Sequence, residues 1–398
     1  MKFNLKALPL AISIALVPTA VFANETTDEK IEKLEQQVAT LQAQQTKNLT
    51  EKFSFNGFIS GAYISSNNSA GYNNATTSSD FSQDSKIGFQ GTFNISNQTQ
   101  AVLQLMMKGE NNWDVEAEWA YLSHRFDNGI KIRGGKLRLP LFMYSDYLDV
   151  GHAQPFARPP AEVYDQVSFT SYTGGDISYD VEFEDSTLTF QGFGGESIID
   201  NKTSDIELSN IAGLNANWTD LTWTVRGVYG YGNLGGFLLD NTGSPFLTID
   251  DEKSTFLGFG GGYDNGAFLA IAEWTQVEVN GLLPDMESAY LTLGYRINTF
   301  TPYVTVAYSK STDDNERAAL PPQLGIPLSL GLNEKRNAYS VGLRWDALDN
   351  VALKFDVTYA NDFGDTSGGL SGNSFNPSTG EFMLDDTLVY TVKFDAVF

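Results

Sequence analysis

The chain has 398 residues, with 25 Lys and Arg against 49 Asp and Glu, a formal net charge of -24. So acidic a balance offers no basic footprint for nucleic acid. The absence of cysteine removes thiol catalysis and Cys-ligated metal sites.

Residues 1–23 read as a secretory signal, with Lys2 and Lys6 as a basic start, an apolar run from Leu8 to Val17, and Val21-Phe22-Ala23 as a cleavage site. The run is too short to span ~30 Å of hydrocarbon, and Pro9 and Pro18 interrupt it. After Ala23 no apolar run is long enough for a spanning helix, so membrane entry would require a closed barrel. Soluble β-rich enzymes and lectin-like sandwiches share the composition and must be separated by pattern.

Residues 24–52 are charged and Gln-rich. Ile31, Leu34, Val38 and Leu41 alternate steps of three and four, the a/d seam of a short coiled coil, here read as a periplasmic stalk; the plainer reading is a solvated helical linker.

From Phe53 the period becomes two. Phe53, Phe55, Ile59 and Tyr63 alternate with Ser54, Asn56, Ser60 and Ala62, and later Val351, Leu353, Phe355, Val357 and Tyr359 alternate with Ala352, Lys354, Asp356 and Thr358. Basic residues among small polar ones in mid-strand assign the polar face to a watery interior and the apolar face to lipid. Seven short turns alternate with eight longer links, near 66–84, 110–116, 138–168, 198–205, 234–251, 280–286, 312–334 and 362–383. Fifteen connections predict an all-β transmembrane barrel of 16 antiparallel strands over residues 53–398, a size that leaves an aqueous lumen.

The stretch GKLRLPLFMYSDYLDVGHAQPFARPPAEVYDQ, from Gly135 to Gln166, contains the longest link and is broken by Pro140, Pro155, Pro159 and Pro160. Lys131, Arg133, Lys136 and Arg138 cluster in the single predicted strand that leads into this loop. The pairs 131/133 and 136/138 differ in parity, so all four reach the lumen only if Gly134-Gly135 resets the strand. The sharper reading is a basic wall; the plainer one anchors two of them at headgroups or on neighbouring acids. Lys108, Arg226, Arg296 and Arg344 are further lumen candidates. Within the link, Asp146, Asp149, Glu162 and Asp165, with Arg158, would set up a transverse field against such a wall. Its aromatic residues, Phe142, Tyr144, Tyr147, Phe156 and Tyr164, are expected to pack it against the barrel.

The signal, the strand count, the long third loop and the terminal VYTVKFDAVF together resemble the trimeric Gram-negative porins, and the coiled coil resembles their phosphate-type and dicarboxylate-type members. The resemblance spans essentially the whole mature chain but matches no subfamily's substrate residues. It implies a homotrimer in the outer membrane, an inward-folded constriction loop, and Phe398 as part of the signal read by the barrel-assembly machinery. Passive diffusion of small hydrophilic solutes, with anions suggested by the lumen basics, is the implied function. The alternative is a plugged structural or adhesive envelope barrel. No enzymatic constellation is expected around His124 and His152, and no cofactor. Asp313-Asp314 and Asp385-Asp386 are candidates to hold Ca²⁺ or Mg²⁺ and bridge lipopolysaccharide, against the plainer reading of solvated loops.

Overall fold

The computed structural model describes residues 32, 36–38, 52–200, 204–239, 244–314 and 332–398. The signal segment lies outside these residues, as do Ile31, Leu34 and Leu41. Of the expected coiled-coil seam only Val38 is described, helical and half exposed.

Sixteen strands form one closed antiparallel barrel. They are β1 (Phe53–Ser66), β2 (Lys86–Asn94), β3 (Thr99–Lys108), β4 (Val115–Arg125), β5 (Lys131–Arg138), β6 (Ser171–Glu182), β7 (Thr187–Asp200) and β8 (Ser204–Thr219). The circuit continues through β9 (Trp223–Leu239), β10 (Pro245–Asp264), β11 (Phe268–Val279), β12 (Met286–Tyr295), β13 (Phe300–Ser311), β14 (Lys335–Leu348), β15 (Val351–Asn361) and β16 (Asp386–Val397). The seam is β1 on β16, in register from Phe58 opposite Val397 to Ser66 opposite Val389. Gly57 and Phe398 extend it by donating backbone N–H groups to each other's carbonyls at 2.8 and 2.9 Å. The Phe398 ring lies edge-on to Phe89, 6.2 Å between centroids.

The two faces follow the alternation in the sequence. On β15, Phe355, Val357 and Tyr359 are exposed on the outer surface while Ala352, Lys354 and Thr358 are buried inside. On β16, Tyr390, Val392 and Phe394 point out, and Thr391, Lys393 and Asp395 point in. Trp223, Tyr229, Trp345 and Tyr390 add exposed aromatic side chains to the outer surface, the residue types that settle at a membrane interface.

Two links are shorter than the sequence suggests. The stretches 198–205 and 234–251 are largely strand, because β7 to β10 run to 14, 16, 17 and 20 residues. A spanning strand needs about 9–11 residues. The turns at the other end stay put, so the excess lifts these hairpins above the long-loop rim, by roughly 30 Å of strand for β10. Ile199, Ile206, Leu208 and Leu234 there continue the period of two, which carries the pairing on past the length of the other strands.

A second difference concerns the interior. Val228, Phe256, Leu269, Ile271 and Tyr290 of β9 to β12 belong to one buried apolar cluster with Leu139, Leu141, Phe142, Tyr144, Phe156 and Tyr164 of the long link. This sector of the inner wall is dry because the link lies against it.

Gly135 sits inside β5 at φ 136°, and a Cβ there would strike the Ala120 carbonyl and the Tyr121 backbone. Pairing of β5 with β4 and β6 nevertheless runs without a register shift. Parity is not reset: Leu137 keeps the inner phase of Arg133, opposite buried Tyr172, and Arg138, out of that phase, reaches Glu118 and Asp149 only as the last residue of the strand. Gly135→Ala is expected to cost about 1–3 kcal/mol, lowering the thermal unfolding midpoint in detergent. Gly134→Ala, where a Cβ meets nothing closer than 4.0 Å, should leave it unchanged.

Candidate functional site

The segment joining β5 to β6, residues 139–170, carries short 3₁₀ turns at Ser145–Tyr147 and Gly151–Ala153 and one four-residue helix, α1 (Ala161–Tyr164). Pro159 and Pro160 precede α1, and the Pro160 carbonyl accepts from the Val163 and Tyr164 N–H groups. A chain with so little internal hydrogen bonding needs partners from outside. The barrel supplies them from β2 to β5 and from β9 to β16.

The first half of the segment crosses toward β9. Arg226 donates to the carbonyls of Pro140 and Phe142, and Glu273 on β11 accepts from the Met143 N–H at 2.8 Å and the Tyr164 hydroxyl at 2.9 Å. The chain then turns to β2, β3 and β5, where the Asp149 carboxylate meets Lys86 at 2.9 Å, Lys108 at 3.6 Å and Arg138. Arg138 also lies 3.4 Å from Glu118 of β4.

Next come the cations of β14 to β16. Lys354 donates to the Gly151 carbonyl at 2.7 Å, Arg344 to those of His152 and Gln154 at 2.8 Å, and Lys393 to that of Ala157 at 3.0 Å. Asp395 bridges the two lysines, 2.9 Å from Lys354 and 3.6 Å from Lys393, and accepts from the Ser60 hydroxyl at 2.5 Å. Gly151 passes so close to Asp395 that a Cβ would overlap its carboxylate.

The return leg is held at α1. Glu162 binds Arg336 at 2.7 Å and accepts from the Tyr72 hydroxyl at 3.2 Å, while Arg158 reaches Asp84 at 3.3 Å and Asp165 at 3.5 Å. Gln166 closes the crossing through Thr275 at 2.6 Å and Ser288 at 2.8 Å.

Burial pushes the phenols of Tyr144 and Tyr164 above their ordinary range, with the Tyr147 hydroxyl acting on Tyr144 and Glu273 on both. Both stay neutral, Tyr164 as a donor. Burial lowers His152, and the nearby Arg344 and Lys354 lower it further. Burial alone would raise Asp84, but Arg158, Lys393 and Lys86 overcome it and hold the carboxyl below the usual range.

Several sequence candidates therefore meet at one place. Lys108, Arg138 and Asp149 form one cluster, and Arg158, Glu162 and Asp165 lie along the return leg. Arg226 and Arg344 hold backbone carbonyls. Arg133 pairs with Asp176 of β6 at 2.5 Å, stacked over the Tyr121 ring. Arg296 stands apart at the short-turn end on Asp264, at 2.5 Å. Asp146 is exposed, and Lys131 and Lys136 make no ion pair among the described residues.

Glu118, Asp176, Glu273, Arg336 and Tyr303, whose hydroxyl accepts from the Ala157 N–H at 3.0 Å, were not picked out from the sequence. Glu273 carries a usable signal, a lone acid on the inner phase between Ile271 and Thr275. Arg336 carries none, since its partner Glu162 is 174 residues away. Among the described residues no group of three or more acidic or histidine side chains is placed to hold a metal ion.

No protein-family model matches the sequence, and no curated protein does so either. Solved structures do match the fold. The chain is similar to the outer-membrane OmpT of Vibrio cholerae at TM-score 0.56 and 12% identity, over 87% of this chain and 97% of that one. It is also similar to the outer-membrane channel DcaP of Acinetobacter baumannii, at TM-score 0.55 and 11% identity over 86% and 96% of the chains. An anion-selective porin from Comamonas acidovorans aligns at TM-score 0.54 and 12% identity, over 87% and 99%. The fold is that of a sixteen-stranded porin barrel.

Two outcomes follow. Asp149→Asn leaves Lys86, Lys108 and Arg138 facing one another without their shared anion, and losing one partner of a buried pair costs about 3–5 kcal/mol. Amide exchange across residues 149–154 should accelerate by roughly 100-fold or more. For Asp84, a depressed folded pKa means its contribution is present above the unfolded value near ~4 and lost as pH falls through the folded one. Protection of residues 158–165 should therefore hold at pH 7 and fall in acid below that window, and Asp84→Asn should show the loss already at pH 7.

Proposed function

We propose that the protein is an outer-membrane channel for passive diffusion of small solutes, with residues 139–170 as its constriction. One observation carries the reading: the closed barrel of sixteen strands has an interior that its own wall does not fill, and the inward-folded segment 139–170 narrows it. The likeness to outer-membrane porin structures supports the location. The barrel is proposed to work as a homotrimer, as the Vibrio cholerae OmpT structure described as a trimer form suggests by analogy. Phe398, which extends the seam, is the proposed assembly signal.

The same geometry argues for weak charge selectivity. Anion preference requires cations facing water, whereas Lys86, Lys108, Arg138, Arg226, Arg344, Lys354 and Lys393 are engaged by loop carboxylates or carbonyls. Lys131, on the inner phase of Arg133, is the member of the basic strand left to act on a passing ion; Lys136 falls on the outward phase, opposite Ala120 and Thr173.

A second reading, a plugged structural barrel, is favoured by the breadth of the loop's attachment, from β2 to β5 and β9 to β16. Planar-bilayer recordings of the purified mature protein separate the two. Stepwise conductance with a reversal potential near zero in a KCl gradient is expected, and Asp149→Asn should enlarge the steps. Silence from the wild type together with steps from the variant would establish the plug. Silence from both would overturn the channel reading.

A further inference from the structure

Above the constriction the interior changes character. A cavity of about 530 Å³ opens there, within the range of small-molecule sites. One side is apolar: Phe193, Leu208, Ile211, Leu234, Phe256 and Met286, from β7 to β10 and β12, line it. It is the inner face of the raised hairpins and, Ser254 apart, offers passing water little to bond. A route meant only for hydrated ions and sugars gains nothing from such a wall, whereas an apolar body is drawn to it.

The opposite side is charged. Glu162, Asp165 and Glu334 face Arg158 and Arg336, three carboxylates against two guanidiniums, a net charge of -1. The guanidiniums are already committed. Arg336 lies 2.7 Å from Glu162 and 2.8 Å from Glu334 and donates to the Gly368 carbonyl at 2.8 Å. Arg158 divides between Asp84 and Asp165. Exposure points the same way: 49% of the Asp165 side chain is accessible, against 23% for Arg158 and 6% for Arg336. The group left to meet a ligand is a carboxylate.

We propose that this vestibule binds a lipophilic monocation, an aryl or alkyl body bearing one ammonium or onium charge, with the body on the β7 to β10 wall and the charge toward Asp165. The inference rests on the channel reading for its purpose and names a class of solute that the channel would gather.

Equilibrium dialysis of the purified barrel in detergent, against a detergent-only blank, tests it. The probes are tetraphenylphosphonium and tetraphenylborate, alike in shape and opposite in charge. Saturable binding of the phosphonium at one per chain, tighter than that of the borate, is expected. Leu208→Asn with Leu234→Asn should weaken it about tenfold through the lost apolar contact. Asp165→Asn, on an exposed side chain outside the barrel wall, should narrow the preference for the phosphonium over the borate. No saturable uptake above the blank, or tighter binding of the borate, would overturn the proposal. So would affinity unchanged in both variants. Binding by a barrel that conducts no ions would sink the channel reading and leave the site standing; conduction without binding would do the reverse.

Discussion

Everything in this molecule depends on the hydrogen-bonded seam between its first and last barrel strands. An open sheet of fifteen pairings would leave two edges of unpaired backbone groups, each costing several kcal/mol in lipid. Pairing Phe58 through Ser66 with Val389 through Val397 removes both edges at once. Closure requires an even number of antiparallel strands, which returns the chain's end to the side on which β1 begins. The Gly57–Phe398 backbone pair is where that condition is met.

Closure also creates the molecule's main physical difficulty, an interior carrying charges that are neither in bulk water nor in a conventional core. Lys354, fully buried, illustrates the solution. Its ammonium has Asp395 for a counter-ion and the Gly151 carbonyl as a further acceptor. Arg226 and Arg344 do likewise, each binding two carbonyls of the inward segment. A segment nearly without secondary structure thereby satisfies its own backbone with the wall's cations, and the wall satisfies its cations with the segment's backbone. Buried charges are tolerable only when so paired, although the buried Nε atoms of Arg138 and Arg226 have no hydrogen-bond partner. The mutual dependence explains why the acids of the segment act mainly as ties and why the basic wall is no free anion ladder.

The apolar sector is the counterpart. Where Phe142 meets Phe256 edge-on at 5.4 Å and Tyr164 lies 6.2 Å from Tyr290, water is excluded and the ordinary hydrophobic effect fixes the segment's position. The contacts between ions and carbonyls then set its path. Above it, the same inner face of β7 to β10 is left uncovered by the segment, which is why the vestibule is apolar while the far side of the interior is charged.

Strand number, order and outward faces were legible in the sequence, because each depends on local alternation and on turns a few residues long. The longer links at 198–205 and 234–251 misled, since polar residues such as Asp250 and Asp251 look like loop but sit in β10, on hairpins that run on past the rim of the other strands. The inward segment announced itself by its prolines and its length, and its aromatic packing followed from the need of an irregular chain for an anchor. Local pattern could not reveal the partners. Arg336 and Glu162, or Lys354 and Gly151, are brought together only by a circuit closed over more than a hundred residues. Alternation determines which face a side chain takes; what stands opposite it across a lumen is a property of the closed barrel alone.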